Sequence, residues 1–268
     1  MPAPAASSLA IHGASGRNGR RLIALIAEDA GRSLAGAIVS PRSQYLGRDA
    51  GELVGIAKQD VLLSERWPDR FDAAIDFSTA AAAVAAVEHC AAAGRPIVVA
   101  STGLEPEQEA AIQRAAEKIP VCYSANYSPA VNLTMKLAQQ AAATLAKLGQ
   151  QVDVEIIERH HRGKVDSPSG TALRFGRLIA DEMNIERAVH GRHGIVGKRP
   201  GDEIGYHAVR LGDDAGQHTI CFGMMGELIE LRCAASNRDP YAAGALLAAD
   251  FLMQQPPGLY DMFDVLGL

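Results

Sequence analysis

The stretch "HGASGRNG", His12 to Gly19, decides the fold. A short apolar run ending at Leu9, Ala10 and Ile11 leads into it, and Leu22, Leu25 and Ile26 come after it at the spacing of one helix face. Its glycines, Gly13, Gly16 and Gly19, stand at G-x-x-G-x-x-G spacing. Glycine there lets the backbone turn sharply from strand to helix and approach a pyrophosphate, whose charge the helix N-terminus favours. The spacing alone equally describes a tight connection. The next hundred residues favour the nucleotide reading: "SLAGAIVS", "DAAIDFS", "RPIVVAST" and "PVCYSAN" read as further strands, separated by helical stretches. The alanine-rich segment from Thr79 to Ala93 has Ser78 or Thr79 as N-cap and Gly94 just beyond its end, and "EPEQEAAIQRAAEK" gathers its acids in the first turn. Strands alternating with helices predict an α/β, Rossmann-like, doubly wound parallel sheet.

After Asn126 the pattern changes. A helix is expected from Pro129 to Leu148, then the strand "VDVEIIE", a polar loop, and a helix with Ala172, Phe175, Ile179 and Met183 on one stripe. Asn184 to Gly205 reads as an irregular, mobile stretch with no packed element. "GYHAVRL", "QHTICFGM" and "ELIELRCAA" read as strands, the first two joined by the turn "GDDAG". These predict an α+β domain over residues 129–239 with a mixed, mostly antiparallel four-stranded sheet. The helix from Pro240 to Met253 is expected to pack back on the first domain, which then comprises residues 1–128 and 240–268.

With 268 residues, 48% of them apolar, the chain can bury sizeable cores, and a net charge of −5 without a Lys/Arg-dense run argues against nucleic-acid or acidic-membrane partners. A small-molecule partner is expected. Cys90, Cys122, Cys221 and Cys233 lie far apart with no C-x-x-C pair, and read as reduced thiols. "MPAPAASS" lacks the regions of a signal peptide, and no apolar run is long enough to span a bilayer, so a cytoplasmic protein is expected.

The second informative stretch is "ERHHRGKVDSPSGTA", Glu158 to Ala172. Ser169, Gly170 and Thr171 open a helix, where backbone N–H groups and a hydroxyl suit a carboxylate, and His160, His161 and Lys164 crowd proton donors around the same place. Plainer readings stand beside this one. Adjacent histidines point opposite ways in an extended segment, Asp166 and Pro168 can simply shape the turn, and Ser169 can be only a helix cap. A metal site is not expected, for no third ligand cluster accompanies the paired histidines.

At the end of the second strand, Val39-Ser40-Pro41-Arg42 has no carboxylate where NAD-binding folds place one for the ribose. Ser40 and Arg42 instead suit a 2′-phosphate, which predicts NADPH as the preferred cofactor with NADH possible; a solvated surface charge is the alternative for Arg42.

"E-x-H-H-x-x-K-x-D-x-P-S-G-T-A" resembles the substrate signature of the 4-hydroxy-tetrahydrodipicolinate (dihydrodipicolinate) reductase family. "GASGRNG", "DFS", "ASTG", "SANYS" and "LYDMFDVL" are similar to other stretches of that family, so the likeness covers nearly the whole chain. The resemblance implies a homotetramer of two-domain subunits, built through the second domain's sheet, that reduces a cyclic unsaturated dicarboxylate to tetrahydrodipicolinate with loss of water. It also implies His160 as proton donor with Lys164 as catalytic companion, and contacts to substrate from His161, Lys164, Ser169, Gly170 and Thr171. On the cofactor side it points to Gly13, Ala14, Ser15, Gly16, Arg17 and Asn18, to Phe77 and Ser78, to Ala100, Ser101 and Thr102, and to Ser124, Ala125, Asn126 and Tyr127. Asn18 stands where the family has methionine, Ala100 where glycine is usual, and Val39 where dual-cofactor members carry an acid. The chemistry fits: hydride addition to a conjugated system leaves negative charge for a nearby acid to neutralise, and histidine suits that near neutral pH. Another two-domain amino-acid reductase would not need the Glu158–Ala172 loop, and a non-catalytic nucleotide sensor would need a recognition module that the few residues before Leu9 cannot supply.

Overall fold

The computed structural model describes residues 6–268. Its contacts divide the chain into two compact units, one running to Ser128 and resuming over Arg238–Gly267, the other being Pro129–Asn237.

The first unit contains β1 (Ser7–His12), α1 (Arg17–Glu28), β2 (Arg32–Ile38), α2 (Ala50–Val54), β3 (Leu63–Ser64), β4 (Ala73–Asp76), α3 (Ala80–Ala93), β5 (Ile97–Val99), α4 (Pro106–Ala116) and β6 (Pro120–Tyr123). The second holds α5 (Pro129–Leu145), β7 (Asp153–His160), α6 (Gly170–Met183), β8 (Arg187–His190), β9 (Glu203–Arg210), β10 (Gln217–Met224) and β11 (Glu227–Ala234). The chain then returns to the first unit as α7 (Asp239–Leu252), β12 (Gly258–Tyr260) and α8 (Met262–Leu266).

The first sheet has seven parallel strands in the order β12-β6-β5-β4-β1-β2-β3. Every residue of β4 and β5 is buried, as a sheet covered on both faces requires. Leu9 and Ile11 pack with Leu22, Ile23 and Ile26 of α1 and Ala245, Leu246 and Leu252 of α7 on one face. Ala10 and Ile97 pack with Val87 of α3 and Ile112 of α4 on the other. The small side chains of α7, Ala242, Gly244, Ala245 and Ala248, are buried, which lets this helix lie close against α1 and the central strands. Strand order reverses between β1 and β4, the switch point where open α/β sheets place their ligands. β3, β12, α2 and α8 are additional to the sequence reading; the two strands are only two and three residues long, too short for a periodic pattern.

The second sheet corrects the sequence reading, for it has five strands, not four, in the order β11-β10-β7-β9-β8. β8 falls inside the stretch expected to be irregular. It shows no alternation of burial and is held by parallel backbone pairing to β9, so its side chains carried no signal. Beyond it, Arg192 and Arg199 tie the same stretch to Asp153, Glu155 and Glu203. Two of the sheet's pairings are antiparallel and two parallel, so it is not mostly antiparallel. "GDDAG" does not close a hairpin between neighbours: β7 lies between β9 and β10, and the loop passes over its end, where Leu211 N–H donates to the His160 carbonyl and Arg162 N–H to that of Gly212. Val154, Ile156, Tyr206, Ile220 and Phe222 are buried on the face that α5 and α6 cover, while Ile157, Val209 and Leu228 are exposed on the other.

Candidate active site

In the first unit, the turn after β1 and those after β4 and β5 meet at the switch point. Gly13 has φ +78°, and a Cβ there would lie 2.5 Å from the Phe77 carbonyl oxygen; one on Gly19 would lie 2.3 Å from the Gly13 carbonyl oxygen. Only glycines let the strand end, the helix and the β4 loop come this close. Gly16 caps α1 without a side-chain hydrogen bond, and no acid sits in the first turn, so the positive end of the helix is left for an anion. Ala14 is fully buried, the Ser15 carbonyl accepts from Arg20 Nε, and Arg17 is exposed.

A cleft of about 390 Å³ opens here, lined by Arg17, Asn18, Phe77, Ser78, Ala100, Ser101, Thr102 and Arg238. Arg238 was not anticipated: it arrives from the far end of the chain, and its burial and then the Arg17 charge draw its guanidinium below the ordinary value. Neither arginine has an ion-pair partner among the described residues. Asn18 Oδ1 is buried with no hydrogen-bond partner among the described residues. Beneath the cleft, the fully buried Asp76 accepts from His12 Nδ1 (2.6 Å), Ser78 Oγ (2.5 Å) and Ser101 Oγ (2.5 Å).

The remaining expected cofactor positions lie elsewhere in this unit. Ser40 and Arg42 are exposed beyond β2, where Ser40 Oγ accepts from Arg42 N–H. Ser124, Ala125 and Asn126 come directly after β6, with Ser124 Oγ donating to the Asn126 carbonyl. Tyr127 is turned into the core, its hydroxyl against the Val99 and Cys122 carbonyls, and burial pushes its phenol well up; only its backbone is left for a ligand.

In the second unit, Glu158 points inward from β7 and is 1% exposed. Its carboxylate accepts from His160 Nδ1 (2.5 Å), both terminal nitrogens of Arg210 (2.9 and 2.8 Å) and the Ser169 N–H (3.1 Å). Burial works to raise the Glu158 carboxyl, but the bonds from Arg210 and His160 outweigh it and hold it below the usual range. Burial draws His160 below the ordinary imidazole value, with Glu158 pulling the other way and Lys164 and Arg210 adding to the fall. The Nδ1 proton being committed to Glu158, Nε2 is the nitrogen left for proton exchange. Lys164 Nζ is paired with Asp166 at 2.9 Å. Ser169 caps α6 by accepting from Ala172 N–H, is 2% exposed, and meets His218 Nε2 at 3.0 Å. Gly170 is exposed at the positive end of α6, with Thr171 half-buried beside it and His161 half-buried above the loop.

Two family models match: that described as dihydrodipicolinate reductase, N-terminus, over residues 7–127, and that described as dihydrodipicolinate reductase, C-terminus, over residues 130–266. The chain belongs to the dihydrodipicolinate reductase family. Among its relatives, 4-hydroxy-tetrahydrodipicolinate reductase of Rhodopirellula baltica is 52% identical over 269 residues, covering 97% of this chain and 96% of its own. That of Alkalilimnicola ehrlichii is 44% identical, covering 97% and 98%. A dipicolinate-bound dihydrodipicolinate reductase from Paenisporosarcina sp. TG-14 has the same fold, with a TM-score of 0.74 at 24% identity over 97% of this chain and 98% of that one. An amine dehydrogenase from Mycobacterium smegmatis shares the fold at 0.57 and 15% identity, covering 94% of each chain.

Within this member of the dihydrodipicolinate reductase family, sequence reasoning missed Glu158, Arg210 and His218 in the second unit and Asp76 with His12 in the first. Glu158 opens the family's signature loop, and strand alternation places it inward with Val154 and Ile156, which for a carboxylate signals a paired partner. Arg210 and His218 lie on other strands, so only the sheet register brings them to it.

Proposed function

We propose that this protein catalyses the NAD(P)H-dependent reduction of 4-hydroxy-tetrahydrodipicolinate to tetrahydrodipicolinate with loss of water, in lysine and diaminopimelate biosynthesis. The observation that carries it is His160 held by Glu158 within the family's signature loop, beside Lys164 and the N-terminus of α6. The cofactor fits the first unit: Arg17 and Arg238, without ion pairs among the described residues, and a glycine turn at a helix N-terminus supply donors suited to a dinucleotide's phosphates, and the Asn18 amide oxygen, without a partner among those residues, supplies an acceptor. Gly13 to Asn18 would hold its pyrophosphate, Ala100, Ser101, Thr102 and Ser124 to Tyr127 its nicotinamide end, and Ser40 with Arg42 its adenosine ribose. When bound, the reduced nicotinamide supplies the hydride. His160 supplies a proton at Nε2, and Lys164 orients a carboxylate and shares in proton donation. His161, Ser169, Gly170 and Thr171 hold the substrate carboxylates, Ser169 chiefly by fixing the α6 terminus.

The absence of a carboxylate near Ser40 and Arg42 supports NADPH over NADH. The same reading makes the protein a cytoplasmic homotetramer. Ile157, Val209 and Leu228 exposed on the open sheet face support subunit contacts there. Reduced nicotinamide absorbance should fall only when the unsaturated cyclic di-acid is added, and pyridine-2,6-dicarboxylate should inhibit. A purified, cofactor-binding protein that oxidises no NADPH or NADH with that substrate would overturn the reading.

A further inference from the structure

We propose that Glu158 and Arg210 are positioning residues for the proton donor: together they fix which nitrogen of His160 faces the ligand and tie that ring to the loop carrying Lys164. The inference rests on the roles proposed for His160 and Lys164.

Arg210 lies directly opposite His160 in the β7–β9 register, and its two terminal nitrogens bind both oxygens of Glu158. One of them also donates to the Asp166 backbone carbonyl at 2.6 Å, and Asp166 in turn pairs with Lys164. A single guanidinium therefore reaches the carboxylate beneath the imidazole and the turn that presents the ammonium. Its planar fork allows this; a lysine, with one nitrogen, could not keep the bidentate pair and the carbonyl bond at once. Glu158 spends its remaining capacity on His160 Nδ1 and Ser169 N–H, so it also links the ring to the start of α6. Against an ordinary sheet ion pair stands the commitment of every Glu158 contact to a part of the proposed site.

The charged or titratable groups facing His160 are Glu158 on its own strand, Lys164 in the loop, Arg210 on β9, Asp214 in the β9–β10 loop, and His218 on β10 with its ring centroid 5.3 Å away. Asp214 is engaged with Arg159 and Gly216 N–H, and His218 with Ser169. Glu158 is thus the anion in contact with the ring, and Arg210 a cation acting against it. Removing each should move the His160 titration in opposite directions.

The test is an NMR titration of the His160 imidazole in the unliganded full-length protein, for wild type, Glu158→Gln, Arg210→Met and Arg210→Lys, with kcat, KM and NADPH affinity alongside. Glu158→Gln should lower the His160 pKa and Arg210→Met should raise it, while Arg210→Lys stays near wild type. In all three kcat should fall roughly 10–100-fold, the scale set by a lost charge-assisted hydrogen bond, with NADPH affinity unchanged. Shifts of the same sign, no shifts, or kcat within twofold of wild type would overturn the proposal. Should Glu158→Gln fail to fold, the two Arg210 variants decide, because that side chain is partly exposed. Variants that show these titration shifts in a protein whose wild type turns over no di-acid would sink the assigned reaction, not the placement of the His160 ring by Glu158 and Arg210.

Discussion

Asp76 in the first unit and Glu158 in the second, two of the buried carboxylates, are held in opposite ways. Asp76 at the end of β4 is surrounded by two serine hydroxyls and an imidazole, with no lysine or arginine among its hydrogen-bond partners. Glu158 in β7 has an imidazole too, but its largest partner is a bidentate guanidinium. The first carboxylate takes the hydroxyl hydrogens of Ser78 and Ser101, leaving their oxygen lone pairs toward the cleft as acceptors for a ligand's N–H or O–H groups. The second has its charge balanced by Arg210 and takes the Nδ1 proton of the ring proposed above as the proton donor. On the proposed reading, one shapes a binding surface and the other poises a reactive group.

The largest effect should come from removing that ring. His160→Gln should lower kcat by ~10²–10⁴-fold, the usual worth of a positioned proton donor, and leave NADPH affinity intact, since the residues proposed to hold the cofactor lie in the other unit. Steady-state kinetics with a separate binding measurement checks both halves, and near-wild-type kcat would strip Glu158 of anything to poise.

Next in size is a pH dependence confined to the second unit. Burial, helped by the charge of His160, pushes His218 down to about 4. An unfolded imidazole titrates near ~6.5, so between these values the unfolded chain takes up a proton that the folded one refuses. Stability is therefore full above pH ~6.5 and lost as pH falls towards 4, by up to about 3 kcal/mol. His218→Gln should flatten this dependence. Urea denaturation read by hydrogen exchange over β7 and β10, at neutral and mildly acidic pH, measures it; equal slopes in both proteins would contradict it.

Asp76→Asn should act on affinity instead. An asparagine amide donates where the carboxylate accepted, turning one serine hydroxyl toward the cleft as a donor. NADPH should bind roughly tenfold or more weakly, from the loss of a charge-assisted hydrogen bond, while adenosine 2′,5′-bisphosphate, which lacks the nicotinamide, should bind as before. Equal weakening of both ligands would mean that Asp76 only supports the fold.

The same contrast marks what was legible in the sequence. Buried parallel strands, the glycine turn at Gly13 and the caps Thr79 and Gly94 leave local signals, because backbone geometry and burial constrain residue type within a few positions. His160 and Lys164 were visible through one contiguous signature. Arg210 and His218 were not, because register across three strands, not spacing along one, brings them to Glu158. β8 escaped because its pairing is through the backbone, which any side chain permits. Asp76 stands in "DFS", yet its partners lie 64 residues before it at His12 and 25 after it at Ser101.

The smallest effect concerns the exposed rim, where neither buried carboxylate reaches. Arg42 lies in solvent beyond β2, beside Ser40, with no ion pair to any described residue. An exposed guanidinium meeting a phosphate works in high dielectric and is screened by salt, so Arg42→Ala should reduce the NADPH-to-NADH ratio of kcat/KM only about three- to tenfold at low salt, and less at high salt. NADH kinetics should hardly change, since that cofactor has no 2′-phosphate to lose. A ratio unchanged at every ionic strength would make Arg42 an idle surface charge. It would leave the missing carboxylate at Val39 to account for any preference through the absence of repulsion.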